Sequence, residues 1–418
     1  MTCEFPRVVI TGCGIVSALG FDRATLFERL LAGDSAVREM PQWDLPGATG
    51  ALLAAPIEMP RERILSIDRK LRRSMAPVAI FATLAAIDAL AESGLPPEEI
   101  TNGSTGCALG STLGSPSAIF ETMALFRDNG LENMPAQQFF KSVSHTAAFN
   151  VANALGLTGA LLAPCSACAS GLQAIGIAYD EIRLGRQTAM LAGGADEATP
   201  SVAGTFEQLF ALAHPAPGQP PAEAIRPFDA RRCGLACGEG AAVLVLEERE
   251  HALKRGARIL AEIRGYATNA SGHQTSQSDA DAIERCLTTA LHDAALQPAN
   301  IHYISAHATG TRQGDVAEAT ALRKIFGDAI PVSSLKAQLG HTMGASGALE
   351  LAVTLEMAWR NTLLPTVNLD TPDDACAGLD LLRQPRQTTV RYFLKDCFAF
   401  GGINAALLCE MPEHLHNQ

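Results

Sequence analysis

The sequence predicts an α/β protein of layered helices and sheets, built as two linked cores. Three observations predict it. Short, β-branched apolar runs alternate along the chain with amphipathic or alanine-rich helical stretches. At 418 residues the chain exceeds the ~250–300 residues at which a single core stops growing. Its composition, 47% hydrophobic and 18% charged with 36 glycines, has no disordered or fibrous signature and suits tight strand-to-helix turns.

The first apolar run, Val8 to Val16, ends in Ser17-Ala18-Leu19-Gly20 and reads as a buried strand with its turn. A helix follows over Asp22 to Ala32. Another spans Ser74 to Glu92 and stops at Gly94-Leu95-Pro96-Pro97. Strands are predicted at Thr105–Gly110, Thr188–Ala195, Ala241–Glu247, Arg258–Ala267, Ile301–Ala306 and Ile330–Ser334. Helices are predicted at Ser170–Leu184, Ala280–Ala295, Val316–Phe326 and Ala345–Trp359. Ala213 to Pro227, with five prolines, is the clearest loop. Arg249–Arg258 is the expected seam, giving an N-terminal half of 1–250 and a C-terminal half of 251–418. Ala169-Ser170-Gly171 and Ala345-Ser346-Gly347 each open a helix, a faint echo between the halves. No short-period repeat is present, which excludes solenoids.

A net charge of −12 repels phosphate backbones and anionic lipids, so neither nucleic acid nor membrane is an expected partner. No uncharged apolar run reaches the ~18 residues that span a bilayer. The start, Met1-Thr2-Cys3-Glu4-Phe5-Pro6, lacks signal-peptide features. A cytoplasmic location with reduced thiols is therefore the expectation for the eleven cysteines. Cys165-x-x-Cys168 and Cys233-x-x-x-Cys237 lie among small residues with no knuckle-like turn, and neither a metal site nor a redox dithiol is expected.

Three segments carry chemistry. In Cys165-Ser166-Ala167-Cys168-Ala169-Ser170-Gly171, Cys168 stands where an apolar stretch gives way to a helix, whose free amides stabilise a thiolate. A small structural cysteine would look the same in isolation. Ile304-Ser305-Ala306-His307-Ala308-Thr309-Gly310-Thr311 ends a strand on a histidine and opens a Gly/Thr loop before Gly314-Asp315. Ser334-Leu335-Lys336-Ala337-Gln338-Leu339-Gly340-His341 places a lysine and a second histidine five residues apart after another strand. Strand-end loops are where α/β folds hold working groups, and the combination says more than any one histidine.

The ordered set resembles the β-ketoacyl synthases, closest to the elongating type II enzymes. It comprises Ser-Ala-Cys-Ala-Ser-Gly, Ala-His-Ala-Thr-Gly-Thr with Gly-Asp, Ser-x-Lys with Gly-His-x-x-Gly-Ala-x-Gly, and Phe-Gly-Gly-Ile-Asn. The resemblance runs from Val8 to Glu410. It implies a thiolase-like fold of two similar α/β halves in a five-layer αβαβα arrangement, dimeric, condensing an acyl thioester with malonyl-acyl carrier protein. Cys168 resembles the acyl-accepting nucleophile, His307 and His341 the decarboxylating pair, Lys336 the site lysine, and Glu318 the carboxylate that positions it. Thr309 and Thr311 resemble the pair that holds the phosphopantetheine arm. Phe400 resembles the gate of the acyl pocket, its amide joining that of Cys168 around an oxyanion. No metal or other cofactor is implied beyond phosphopantetheine on the acyl carrier protein. The partner subunit would be a second copy or a related chain-length factor.

Asp396-Cys397 stands where the family usually has Asn-Ser, and Ile403 where it has Thr. These departures leave a fatty-acid pathway and a polyketide or polyene pathway both open. Arg69-Lys70-Leu71-Arg72-Arg73 is the densest basic cluster, so Lys70, Arg72 and Arg73 are read as docking an acidic carrier protein in preference to the alternative, a solvated charge run. Ser144-His145 lacks the elbow of a hydrolase, and Arg226-Pro227-Phe228-Asp229 reads as structural. A Coenzyme A-dependent thiolase would need a Cys-x-Gly-Gly-Gly pattern near Cys397, which is absent. A non-catalytic chain-length partner would lack Cys168, and a cysteine hydrolase gains nothing from two histidines plus a lysine.

Overall fold

The computed structural model describes residues 5–413 apart from 44, 49 and 273–276. Its eleven-stranded sheet is formed by β1 (Val8–Ser17), β2 (Thr105–Gly110), β3 (Leu161–Leu162), β4 (Ala189–Asp196), β5 (Gly240–Glu248), β6 (Ala261–Ala270), β7 (Tyr303–Ser305), β8 (Pro331–Ser333), β9 (Asp380–Leu381), β10 (Tyr392–Ala399) and β11 (Ile403–Glu410). The order across it is β9-β8-β7-β10-β11-β6-β1-β5-β4-β2-β3. Outward from the centre, the first half reads β1-β5-β4-β2-β3 and the second β6-β11-β10-β7-β8, with the short β9 added in parallel beyond β8. In each half two antiparallel pairings are followed by two parallel ones. The two halves thus share one topology. They meet where Val8–Ile10 pairs with residues 261–263.

The long strands β1, β4 and β5 are buried on both faces almost throughout, because helices cover each side. This is why they read as continuous apolar runs. Helices α1 (Pro77–Ser93) and α2 (Thr146–Leu155) cover the outer face of the first half. On the second half the cover includes α4 (Ala280–Asp293) and α5 (Arg312–Phe326). Between the half-sheets lie α3 (Ser170–Arg183) and α6 (Ser346–Trp359), packed on each other and on strands of both halves. That stacking is the expected five-layer αβαβα arrangement.

Boundaries differ where local chemistry decides. Helix α1 begins at Pro77, not Ser74, because Ala76 is extended and Pro77 takes the first helical turn. The basic run upstream forms its own short turn, Arg69–Arg72, capped by Asp68. Strand β6 starts at Ala261 rather than Arg258 and continues to Ala270, paired along β11. The hairpin β10–β11 and the helices Pro116–Asn129, Gln137–Ser142, Thr146–Leu155 and Pro200–Gln208 were not anticipated from apolar periodicity.

Candidate active site

Cys168 lies on the sharp turn into α3. Ala167 adopts φ 49°, the left-handed region that alanine rarely visits, and Ser170 Oγ braces the turn by accepting from Ser166 N (2.8 Å) and donating to Ala167 O (2.6 Å). Cys168 is only 5% exposed. His341 arrives from the loop before α6, its Nε2 2.9 Å from Cys168 Sγ. The Met343 amide donates to His341 Nδ1 (3.3 Å), which makes Nδ1 an acceptor and assigns the ring proton to Nε2, facing the sulfur. His307, at the end of β7, stands edge-to-face with His341, ring centroids 5.2 Å apart. Its backbone N–H donates to both Glu318 Oε1 and Asp396 Oδ1 at 2.8 Å. The ligand-type atoms of Cys168, His307 and His341 all lie within 4.8 Å of one another.

Electrostatics follow from burial. Desolvation, reinforced by the Lys336 charge, holds both imidazoles well below the usual histidine range, so they are neutral hydrogen-bond donors at pH 7. Desolvation also pushes the Cys168 thiol up to about 12. The Lys336 charge and the amides of Cys168 and Phe400 act in the opposite direction without overcoming it. The resting sulfur therefore keeps its proton, whereas the helix start alone led us to expect a thiolate. The same two amides converge on the sulfur, where an oxyanion hole would form.

Lys336 is fully buried, but its carboxylate partner is Glu350 of α6, with Nζ 2.5 Å from Oε1. The expectation that Glu318 positions Lys336 is therefore corrected. Glu318 instead reaches the His307 amide from α5 and shares its surroundings with Asp396. Burial first, then the Asp396 and Asp315 charges, raise Glu318 well above the carboxylate range. Sequence reasoning missed Glu350, Lys395, Asp396 and Cys397 as site residues. The signal available was a charge inside an apolar run, as in Leu349-Glu350-Leu351 or Phe393-Leu394-Lys395.

A cavity of about 390 Å³ opens over these groups. Cys168, His307 and His341 line it, as do Thr309, Thr311 and Phe400. Thr309 Oγ1 and Thr311 Oγ1 are 3.1 Å apart, on a loop fixed by Asp315 accepting from the Thr309 and Gly310 amides, each at 3.1 Å. The Phe400 ring sits 5.9 Å from Phe206 in a small apolar cluster with Met343. Cys397 donates to Cys168 O (3.0 Å) and lies 3.4 Å from His307 Nδ1. Burial drives its thiol far above the usual range. Lys70 and Arg73 are exposed and do not line the cavity, and half-buried Arg72 donates Nε to Ile67 O (2.9 Å). Arg226 and Asp229 form a buried ion pair (3.2 Å), in keeping with their structural reading.

Fold and site together define a thiolase-fold acyltransferase. Residues 6–252 match the β-ketoacyl synthase N-terminal domain, and residues 260–370 match its C-terminal domain. The chain belongs to the β-ketoacyl synthase family. It is 33% identical over 406 residues to 3-oxoacyl-[acyl-carrier-protein] synthase 1 of Haemophilus influenzae, covering 96% of this chain and 98% of that one. It is 34% identical over 405 residues to nodulation protein E of Rhizobium meliloti, with the same coverage. Among solved structures it resembles a β-ketoacyl synthase from Burkholderia phymatum STM815, with a TM-score of 0.93 and 42% identity over 97% of this chain and 100% of that one. The ishigamide ketosynthase/chain length factor is similar at a TM-score of 0.88 and 29% identity, covering 98% and 100%. The reaction class is that of the family: decarboxylating Claisen condensation of an acyl thioester with malonyl-acyl carrier protein. Among the described residues, no helix is long and apolar enough to cross a membrane.

Proposed function

We propose that Cys168 carries the growing acyl chain while His307 and His341 act on the malonyl thioester. The observation that carries this reading is the shared floor of one cavity, where Sγ stands 2.9 Å from one neutral imidazole and the second imidazole stands beside it. In the first step Cys168 displaces the carrier thiol from the acyl thioester; the Cys168 proton leaves with that thiol. In the second, malonyl thioester loses carbon dioxide and becomes an enolate. The two Nε2–H groups stabilise its oxygen, and its carbon attacks the acyl-cysteine carbonyl. Collapse of that intermediate frees Cys168, which takes up one proton, and releases the β-ketoacyl carrier. The amides of Cys168 and Phe400 hold the intermediate's oxyanion, Lys336 supplies fixed positive charge, and Glu318 holds the His307 backbone.

Thr309 and Thr311 receive the phosphopantetheine arm, and the Phe400 ring gates the acyl pocket. Lys70 and Arg73, with Arg72 behind them, receive the acidic carrier protein. The substrates bring the phosphopantetheine, and no metal or redox group is required. The protein works in the cytoplasm beside a second copy or a related chain-length subunit, in fatty-acid or polyketide elongation. Intact-mass analysis separates the two roles. Cys168→Ala is expected to lose acyl loading yet still release carbon dioxide from malonyl carrier. His307→Ala should load acyl groups and lose decarboxylation by ~10²–10³-fold. Loading that survives without Cys168 overturns the assignment.

A further inference from the structure

Strand β10 carries Lys395-Asp396-Cys397 through the centre of the site, all three fully buried. Alternation along the strand sends Lys395 and Cys397 to one face and Asp396 to the other. Cys397 and Asp396 touch Cys168 and His307, as described above. Lys395 Nζ lies 2.5 Å from Glu350 Oε2, the oxygen that Lys336 leaves free, and 3.1 Å from Ser305 O. It also lies 3.4 Å from the carbonyl of Ala306, the residue before His307. One carboxylate thus bridges two buried ammonium groups. The condensation steps use only one of them.

We propose that Lys395 is a positioning residue for the condensation, clamping Lys336 through Glu350 and supplying a second fixed positive charge behind His307 and His341. Two ammonium groups face Glu350, so one positive charge is left over, and the Asp396 charge acts on it from the other face of the strand. A site balanced in this way keeps its positive end toward the cavity, where carboxylate, enolate and oxyanion appear in turn. The groups facing the two imidazoles are Lys336 and Lys395, the carboxyls Glu350, Glu318 and Asp396, and the thiols of Cys168 and Cys397. Asp315 stands behind Glu318, and Asp196 acts on Cys168. Burial alone would lower Lys395, but Glu350 and Asp396 outweigh it and keep the ammonium charged. Its charge in turn opposes protonation of both histidines.

The inference rests on the decarboxylating role proposed for the histidines, and its test separates the two. Malonyl-carrier decarboxylation is followed against pH for the unaltered protein, Lys395→Met, and Lys395→Met/Asp396→Asn, which removes one charge of each sign. In Lys395→Met the acid-side midpoint should rise by about one pH unit. In the double variant it should fall back by at least half of that rise; if the single variant does not fold, the double should still stand about one unit above Asp396→Asn alone. NMR titration of labelled histidine rings should follow the same order. Equal rate losses at every pH, with unmoved ring titrations, would overturn the positioning role. Absence of decarboxylation in the unaltered protein would instead overturn the functional reading beneath it.

Discussion

Gly171 lies three residues beyond Cys168, and Gly344 three beyond His341, and their backbones touch. A Cβ on Gly171 would stand 2.4 Å from Gly344 O, where real Cβ contacts stay above 3.0 Å. Gly171→Ala must therefore part the two backbones by at least about 0.6 Å. The parted segments carry the sulfur and the imidazole now 2.9 Å apart. Since a ~1 Å misplacement of reacting groups costs about 10²-fold, acyl loading should fall on the order of ten- to a hundredfold. Stability should change less. Overpacking costs about 1–3 kcal/mol, while alanine in place of a helical glycine returns up to ~1 kcal/mol. Intact-mass loading kinetics well below the melting temperature, beside melting curves, read the two effects separately. Loading within twofold of the unaltered rate, in a variant whose melting temperature has dropped, would refute the idea that this contact sets the catalytic distance.

Two further outcomes follow from the geometry. Asp229 is fully buried, and hydrogen bonds from Thr371 N, Arg231 N and Arg226 outweigh its desolvation and lower its carboxyl to about 2. A depressed carboxylate stabilises the fold above its unfolded value near ~3.9 and loses that stabilisation as pH falls toward 2. Asp229→Asn should thus destabilise by roughly 2–3 kcal/mol at pH 7 in denaturant titrations, with the difference shrinking below pH 4; a pH-independent loss would refute the charge argument. Thr309→Val/Thr311→Val should raise KM for carrier-bound substrate about tenfold with kcat little changed, as expected for lost ground-state hydrogen bonds. A fall in kcat alone would move these hydroxyls from holding the arm to the chemistry.

The reactive centre was legible because its three groups sit in glycine-bounded loops at element ends, where the sequence breaks its own apolar rhythm. The layered α/β class was legible for the opposite reason, in strands apolar on both faces. The ion network behind the centre was harder to see. Glu350 sits on a helix of Ala, Leu and Val, and Lys395 on a strand that reads as core. Their partners come from other elements, so no spacing within one segment reveals them. Glu318 was misassigned for the same reason: α5 brings it to the His307 backbone, while Lys336 turns toward α6. The 392–410 hairpin was recognised by its Phe-Gly-Gly motif before its strands were, because turn chemistry is local and pairing is not.

The repeated topology of the two half-sheets carries a consequence for how such a centre could arise. Helices α3 and α6 occupy equivalent places, each following the second parallel strand of its half, and their first turns touch. Related positions in the two repeats therefore meet face to face. Had the repeats been separate, identical chains, whatever one contributed at this meeting point would have been present twice. Joining them in a single polypeptide removes that constraint. Drift in one repeat can settle on sulfur beside the meeting point and drift in the other on imidazole, so the two sides of one contact come to play different chemical parts.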